Sequence, residues 1–346
     1  MSKTLTPPRR KRLGQAGVVV VALLFGALAV RLLRHELRPE VWAQLPAAIE
    51  ALPLWRIVGA VVVAVVVYLW LGWFDRLGFF VVKRDIEAPF AVRTGFMGYA
   101  IAHNLGLAPV TGTAFRARRY RAHGVPAEKV ARVYGSNVVT MWSGYMLALG
   151  TTLVLAPPGV LPGGPTLERI LGILLVSVVV AYVFVAWVGV PPIGFRRVSI
   201  AVPTARWAAL QVLTGGVHWS LSALVLWLVL PGGISFIAVL SALCMGQIVA
   251  AVSHIPGGVG VLEGALLVLL GDQLDRTTVV AGVLLFRAVY YVMPLGLTVV
   301  MLVSGRVVDV VTGRRRSPPP SSPSPSPSPS PSSSSSADPE VVPLPG

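Results

Sequence analysis

Runs of about twenty apolar residues recur along this chain, and nothing else constrains its fold as strongly. Three examples are 57-IVGAVVVAVVVYLWLGW-73, 168-ERILGILLVSVVVAYVFVAWVGV-190 and 279-VVAGVLLFRAVYYVMPLGLTVVMLV-303. A helix of that length matches the hydrocarbon thickness of a bilayer. Inside lipid a backbone must satisfy its own polar groups, which selects helices over open sheet. Only 12% of the 346 residues are charged, against about 25% in ordinary soluble domains. The mean hydropathy is +0.75. The expected fold class is all-α: a polytopic integral membrane helical bundle of about 6–8 spans with two broken or re-entrant segments.

The expected spans are 14–34, 54–74, 131–156, 168–190, 207–230 and 279–303. Two further apolar segments, 89–113 and 233–271, are interrupted by Gly, Pro, Asn and His. The formal charge of +15 sits in the loops between the apolar runs. That placement is a topology signal, with Lys and Arg on the cytoplasmic side, and it also favours anionic lipid headgroups. Without a soluble basic domain it does not indicate nucleic acid.

Charge then orders the crossings. Arg9, Arg10, Lys11 and Arg12 place the N-terminus in the cytoplasm, and two crossings return the chain there at Arg76, Lys83, Arg84 and Arg93. The next cluster, Arg116, Arg118, Arg119, Arg121, Lys129 and Arg132, belongs on the same side, so 89–113 reads as a hairpin rather than a span. The last span ends at Arg306 and Arg314, Arg315 and Arg316, also inside, so 233–271 begins and ends outside. Eight or nine full spans with one loop against the charge rule is the other arrangement. Non-helical backbone at membrane depth needs protein or water around it, so both breaks lead us to expect a cavity.

The chain divides into a basic N-terminus (1–13), a transmembrane domain (14–305) and a basic, then Ser/Pro-rich, tail (306–346) expected to be disordered. The apolar stretch after the N-terminal arginines reads as an anchor rather than a removed signal peptide. One cysteine, Cys244, and five scattered histidines offer neither a disulfide framework nor metal spacing. No Gly-Lys-Ser/Thr phosphate loop and no nucleophile–base set occurs. Neither cofactor nor enzymatic activity is expected.

Three stretches could carry chemistry. In 253-SHIPGGVGVLE-263, His254 and Pro256 with Gly257, Gly258 and Gly260 break a helix, and Glu263 falls in the first turn of the next. A helix beginning there presents unpaired N–H groups that attract anions; equally, Glu263 is a capping carboxylate at a packing turn. In 99-YAIAHNLGLAPVTGTAFRARRY-120, His103, Asn104, Thr111 and Gly112 precede Arg116, Arg118 and Tyr120. Arginine forks match phosphate bidentately, although membrane-edge arginines also serve as anchors, and Asn104 suits a cap. In 284-LLFRAVYYVMP-294, Arg287 lies too deep to snorkel and needs a partner. Glu263 is the acidic residue expected to supply it, with backbone carbonyls at the break as the alternative. His218, Gln211 and Gln247 read as interhelical hydrogen-bonding groups.

Together these stretches resemble the membrane domain of the bacterial lysylphosphatidylglycerol synthase/flippase family, the multiple peptide resistance factors. The resemblance is carried by Asn104-Leu105-Gly106, Thr111-Gly112, Arg116, Arg118, Tyr120 and Gly124, Trp142, the run SHIPGGVGVLE, and Arg287 with Tyr290, Tyr291 and Pro294. It spans about residues 15–305. This chain has Thr111-Gly112-Thr113 where the family has Ser-Gly-Gly, and Ala117 where it has an aromatic residue. No counterpart of the family's soluble synthase domain follows the last span. The resemblance therefore implies the lipid-translocating half of a bacterial cell-membrane protein, and the loop charges place both termini in the cytoplasm.

The expected function is movement of an anionic, modified or polyprenyl-phosphate-linked lipid between leaflets. Its headgroup would be held by Asn104, Thr111, Gly112, Arg116, Arg118, Tyr120, His254, Pro256, Gly257, Gly258, Gly260, Glu263, Arg287 and Tyr291. The rival expectation is a non-transporting membrane partner of a lipid-modifying or glycosyltransferase enzyme.

Overall fold

The computed structural model describes residues 39–105, 108–155, 163–189, 193–195, 198–200, 203–253, 258 and 260–311. The expected span at 14–34, both ends of the chain, and His254, Pro256 and Gly257 lie outside these residues. The described chain is an all-α membrane bundle. Its helices are α1 (Pro39–Glu50), α2 (Leu54–Val81), α3 (Ala88–Leu105), α4 (Ala108–Arg121), α5 (Ala127–Leu155) and α6 (Gly164–Val188). After a short antiparallel ribbon, β1 (Ile193–Phe195) and β2 (Val198–Ile200), come α7 (Ala205–Val229), α8 (Phe236–Ser253), α9 (Val261–Leu270) and α10 (Arg276–Arg287). A π turn, Ala288–Val292, then leads into α11 (Met293–Val311). The ribbon, α1 and the π turn carry no periodicity that announces them in the sequence.

Among the described residues, six helical segments are long and apolar enough to cross a bilayer: α2, α5, α6, α7, α8 and the continuous run Arg276–Ser304. Lipid and bundle share them unequally. α6 keeps most of its apolar surface outward, with Ile173, Leu174, Val180 and Phe184 exposed. The faces of α2, α7 and α8 that carry Tyr68, Leu71, Leu226 and Leu243 are sealed in the core. Helices in lipid associate through close packing of small residues, and α5 meets α7 in that way. A Cβ on Gly215 would sit 2.0 Å from the Thr140 carbonyl oxygen, and one on Gly144 would sit 2.0 Å from the Gly215 carbonyl carbon.

Two faces of the bundle can be told apart by which ends meet. On one, Arg56 near the start of α2 donates to the Trp227 and Leu228 carbonyls at the end of α7, at 2.8 and 3.1 Å. These carbonyls have no partner further along the helix, and a cation is favoured there. On the other, Phe80 at the end of α2 stacks on Trp207 at the start of α7, and Arg93 donates to the Met301 carbonyl at 2.8 Å. The second face holds Arg76, Lys83, Arg84, Arg93, Arg118, Arg121 and Lys129.

Relative to these faces, both interrupted segments are hairpins. α3 and α4 run antiparallel: Arg119 donates to Thr94 at 3.2 Å near the open end. Nearer the closed end, a Cβ on Gly112 would lie 2.5 Å from the Gly98 carbonyl oxygen. Both arms open on the arginine-rich face. α8 leaves the end of α7, and α9 returns along it, Gly246 facing Leu262. The chain then enters α10, where Gly282 packs on Val229 and Leu230. This hairpin opens on the opposite face.

Candidate functional site

The two hairpins converge on the π turn. Its Tyr291 carbonyl accepts a hydrogen bond of 2.9 Å from Asn104 Nδ2, at the closed end of the first hairpin. The same Asn104 amide group caps its own helix through the Ala100 carbonyl, also at 2.9 Å. Asn104 is therefore both a cap and a cross-link. The Tyr291 hydroxyl accepts from Gln247 Nε2 of the second hairpin at 3.0 Å. π turns replace the regular i→i+4 bonding of a helix and recur at functional sites.

Beside the π turn stands the ion pair expected from the sequence. Arg287 grips Glu263 with both prongs of its fork: Nε donates to Oε1, and Nη2 donates to Oε2 at 2.9 Å. Nη2 also reaches the Gly258 carbonyl at 3.0 Å, and the guanidinium lies 5.4 Å from the Tyr291 ring centre. Glu263 also accepts from the Gly260 N–H at 2.9 Å, at the start of α9. The alternatives left open by the sequence thus coexist: Glu263 pairs with Arg287 and caps α9, while Arg287 also satisfies a carbonyl at the break. Gly258 and Gly260 have φ of +58° and +82°, a region that a side chain rarely adopts. Counting from Arg276, Arg287 is about 17 Å into its helix at 1.5 Å per residue, near the middle of a bilayer.

A second charge cluster was missed in the sequence. Asp75 is fully buried and accepts from Arg116 Nη1 at 2.7 Å, from Asn137 Nδ2 at 2.6 Å and from Tyr120 Oη at 2.5 Å. The Arg116 guanidinium is flanked by the rings of Tyr99 and Tyr134, at 4.3 and 4.5 Å. A charge removed from water must be paired and hydrogen-bonded, and here it is both. Arg116 and Tyr120 are therefore engaged in joining α4 to α2 and α5. Arg118 is exposed, about 15 Å along α4 from the hairpin's closed end. Gly112 is buried and allows α3 and α4 to touch, and Thr111 is half-buried.

The structure thus brings Asn104, Gly258, Gly260, Glu263, Arg287 and Tyr291 together, and sets Arg116, Arg118 and Tyr120 apart from them. At the two breaks, residues 106–107, 254–257 and 259, where a cavity was expected, lie outside the described residues. Tyr68 shares a hydrogen bond of 3.0 Å with His103, whose ring stacks near Tyr290. Tyr290 in turn shares one of 2.9 Å with Ser222. Gln211 bridges helices as expected, accepting from Tyr182 and donating to Ser136. His218 does not: it packs edge-on against Phe74 and Trp219, and its Nδ1 has no partner among the described residues.

No protein-family model matches the chain. The Escherichia coli inner membrane protein YbhN is 29% identical over 82% of this chain and 90% of its own length. An uncharacterized Synechocystis protein is 28% identical over 81% of this chain and 88% of its own. The phosphatidylglycerol lysyltransferase of Staphylococcus haemolyticus is 23% identical over 82% of this chain, which spans only 33% of that enzyme. With six apolar helices of spanning length, the likeness to an inner membrane protein identifies a multi-pass protein of the cell membrane.

Proposed function

We propose that this membrane domain moves an anionic, modified or polyprenyl-phosphate-linked lipid between leaflets, a reading supported by its 23% identity to part of a phosphatidylglycerol lysyltransferase. The observation behind this reading is the meeting of two oppositely opening hairpins at Tyr291, through Asn104 on one side and Gln247 on the other. Paired broken elements that enter from opposite faces and meet at mid-depth are a recurring transporter design. A headgroup needs polar partners partway across the hydrocarbon, and the Glu263–Arg287 pair with the carbonyls and glycines around it supplies them. The acyl chains would stay in lipid beside the bundle. The arginine-rich face would be the cytoplasmic one, a placement supported by the distribution of Lys and Arg.

The test is reconstitution of the purified chain in vesicles, with leaflet exchange of a labelled phospholipid followed against protein-free vesicles. Faster exchange with protein is expected. Exchange no faster than in empty vesicles, together with stoichiometric co-purification of a lipid-modifying or glycosyltransferase enzyme, would favour a partner subunit instead.

A further inference from the structure

Arg56 is a buried cation whose partners do not include an anion. It is 6% exposed, and its Nε and Nη2 donate to the Leu228 and Trp227 carbonyls at the end of α7. Those carbonyls carry only the partial negative charge of a helix C-terminus. Among the described residues, Nη1 has no hydrogen-bond partner and no carboxylate pairs with this guanidinium. Arg116 and Arg287, the other buried arginines of that set, each hold a carboxylate. Glu50, the carboxylate nearest in sequence, is exposed and forms no ion pair among the described residues.

The surroundings add positive charge rather than negative. Arg56 lies in the first turn of α2, which has no acidic residue. The connection after α7 carries Gly232, where a Cβ would lie 3.8 Å from Nη1. Three residues on, Ser235 caps α8 by accepting from the Ala238 N–H at 3.2 Å, and the first turn of α8 is also without acid. Two positive helix starts and a guanidinium thus meet one negative helix end at this corner. A charge withdrawn from water must be paired. The open prong lies beside exposed Gly232 and Gly233. The rings of Trp55 and Trp227 lie 5.7 and 5.1 Å from the guanidinium, and Trp55 is 64% exposed. Tryptophans at a membrane edge sit at the level of the headgroups.

From these contacts we propose that Arg56 seats a phosphate oxyanion, supplied by a lipid headgroup, on the face where the second hairpin opens. The seat goes beyond the transport reading, which draws on the junction at mid-depth. The phosphate takes Nη1 by a charge-assisted hydrogen bond, while Nε and Nη2 keep the carbonyls of α7. The acyl chains pass down the lipid side, where Leu54 and Trp55 are exposed.

The test counts the lipids retained per chain by native mass spectrometry, on the full chain in detergent saturated with short-chain phosphatidylglycerol. Arg56→Gln should retain one lipid fewer than wild type. Because that change also uncaps α7, Gly232→Asp serves as the second variant. It leaves Arg56 and its carbonyls in place and supplies a carboxylate beside Nη1, at a backbone outside the left-handed region. It should lose the same lipid while melting no lower than wild type, and Gly232→Ala should keep the full count. A full count in Gly232→Asp overturns the proposal and leaves Arg56 a helix cap alone. So does diacylglycerol of the same chain length, which has no phosphate, if it is retained in wild type and lost in both variants. Inorganic phosphate that lowers the wild-type count to that of Arg56→Gln supports the seat with the free ion as a second ligand; a count that phosphate leaves unchanged supports the headgroup alone. Wild type that retains this lipid but exchanges none in vesicles contradicts the transport function and leaves the seat standing.

Discussion

Arg116 and Asp75, 41 positions apart in sequence, form a buried pair at 2.7 Å that joins the first hairpin to α2. Asn137 and Tyr120 complete the carboxylate's shell. Removing one partner of such a pair leaves the other as an uncompensated buried charge, typically costing about 3–5 kcal/mol. Tyr120→Phe leaves the pair intact and removes one hydrogen bond to a charged acceptor, worth about 1.5–3 kcal/mol. Thermal unfolding in detergent should therefore rank Asp75→Ala below Tyr120→Phe, and both below wild type.

The cluster was hard to read in advance for a physical reason. Asp75 stands next to Arg76 at what looks like the end of an apolar run, where charges ordinarily meet water. α2 continues to Val81, and fully buried Phe79 packs beyond it, which places Asp75 within the helix rather than at its exit. Nothing local shows which of the arginines in 116–121 turns inward. By contrast, Glu263 and Arg287 each interrupt an apolar segment where a charge needs a partner, so their pairing could be expected from the sequence, with a cap for Glu263 and break carbonyls for Arg287 as the alternatives. The opposed hairpins were legible because like-signed loop charge flanks 89–113. The π turn was not, since AVYYV has no distinctive residue pattern.

Helix contact makes a steric prediction. Gly215→Ala would place a methyl 2.0 Å from the Thr140 carbonyl oxygen, so α5 and α7 must separate. Overpacking of this kind costs about 1–3 kcal/mol or more. Gly135→Ala meets nothing within 4 Å and, as a helix-interior change, should hold or slightly raise the melting temperature. Equal effects from the two substitutions would contradict the close α5–α7 approach.

At the junction, Asn104→Ala removes the link from the first hairpin to the Tyr291 carbonyl, whereas Tyr291→Phe leaves that carbonyl in place and loses only the Gln247 bond. Each change should cost about 1–2 kcal/mol of stability. Lipid exchange in vesicles should fall further for Asn104→Ala. A larger loss with Tyr291→Phe would shift the weight of the junction to the second hairpin.

Outside the membrane, Asp275 caps α10 by accepting from the Thr278 N–H at 3.0 Å and from its hydroxyl. These hydrogen bonds hold its carboxyl below the ordinary range. A depressed folded pKa means stability that is present above the unfolded value of about 3.9 and lost as pH falls through the folded one. Asp275→Ala should cost about 1 kcal/mol at neutral pH. The gap from wild type should narrow in melting curves taken below about pH 4.

The account depends on two hairpins that open on opposite sides of the membrane and meet at Tyr291. Single cysteines at positions 93 and 121, and separately at 236 and 272, can be labelled in sealed vesicles with a reagent that does not cross the bilayer. Positions 93 and 121 should react from one side only, and 236 and 272 only from the other. Reaction of 93 and 121 from opposite sides would make the first hairpin a full crossing and contradict the account.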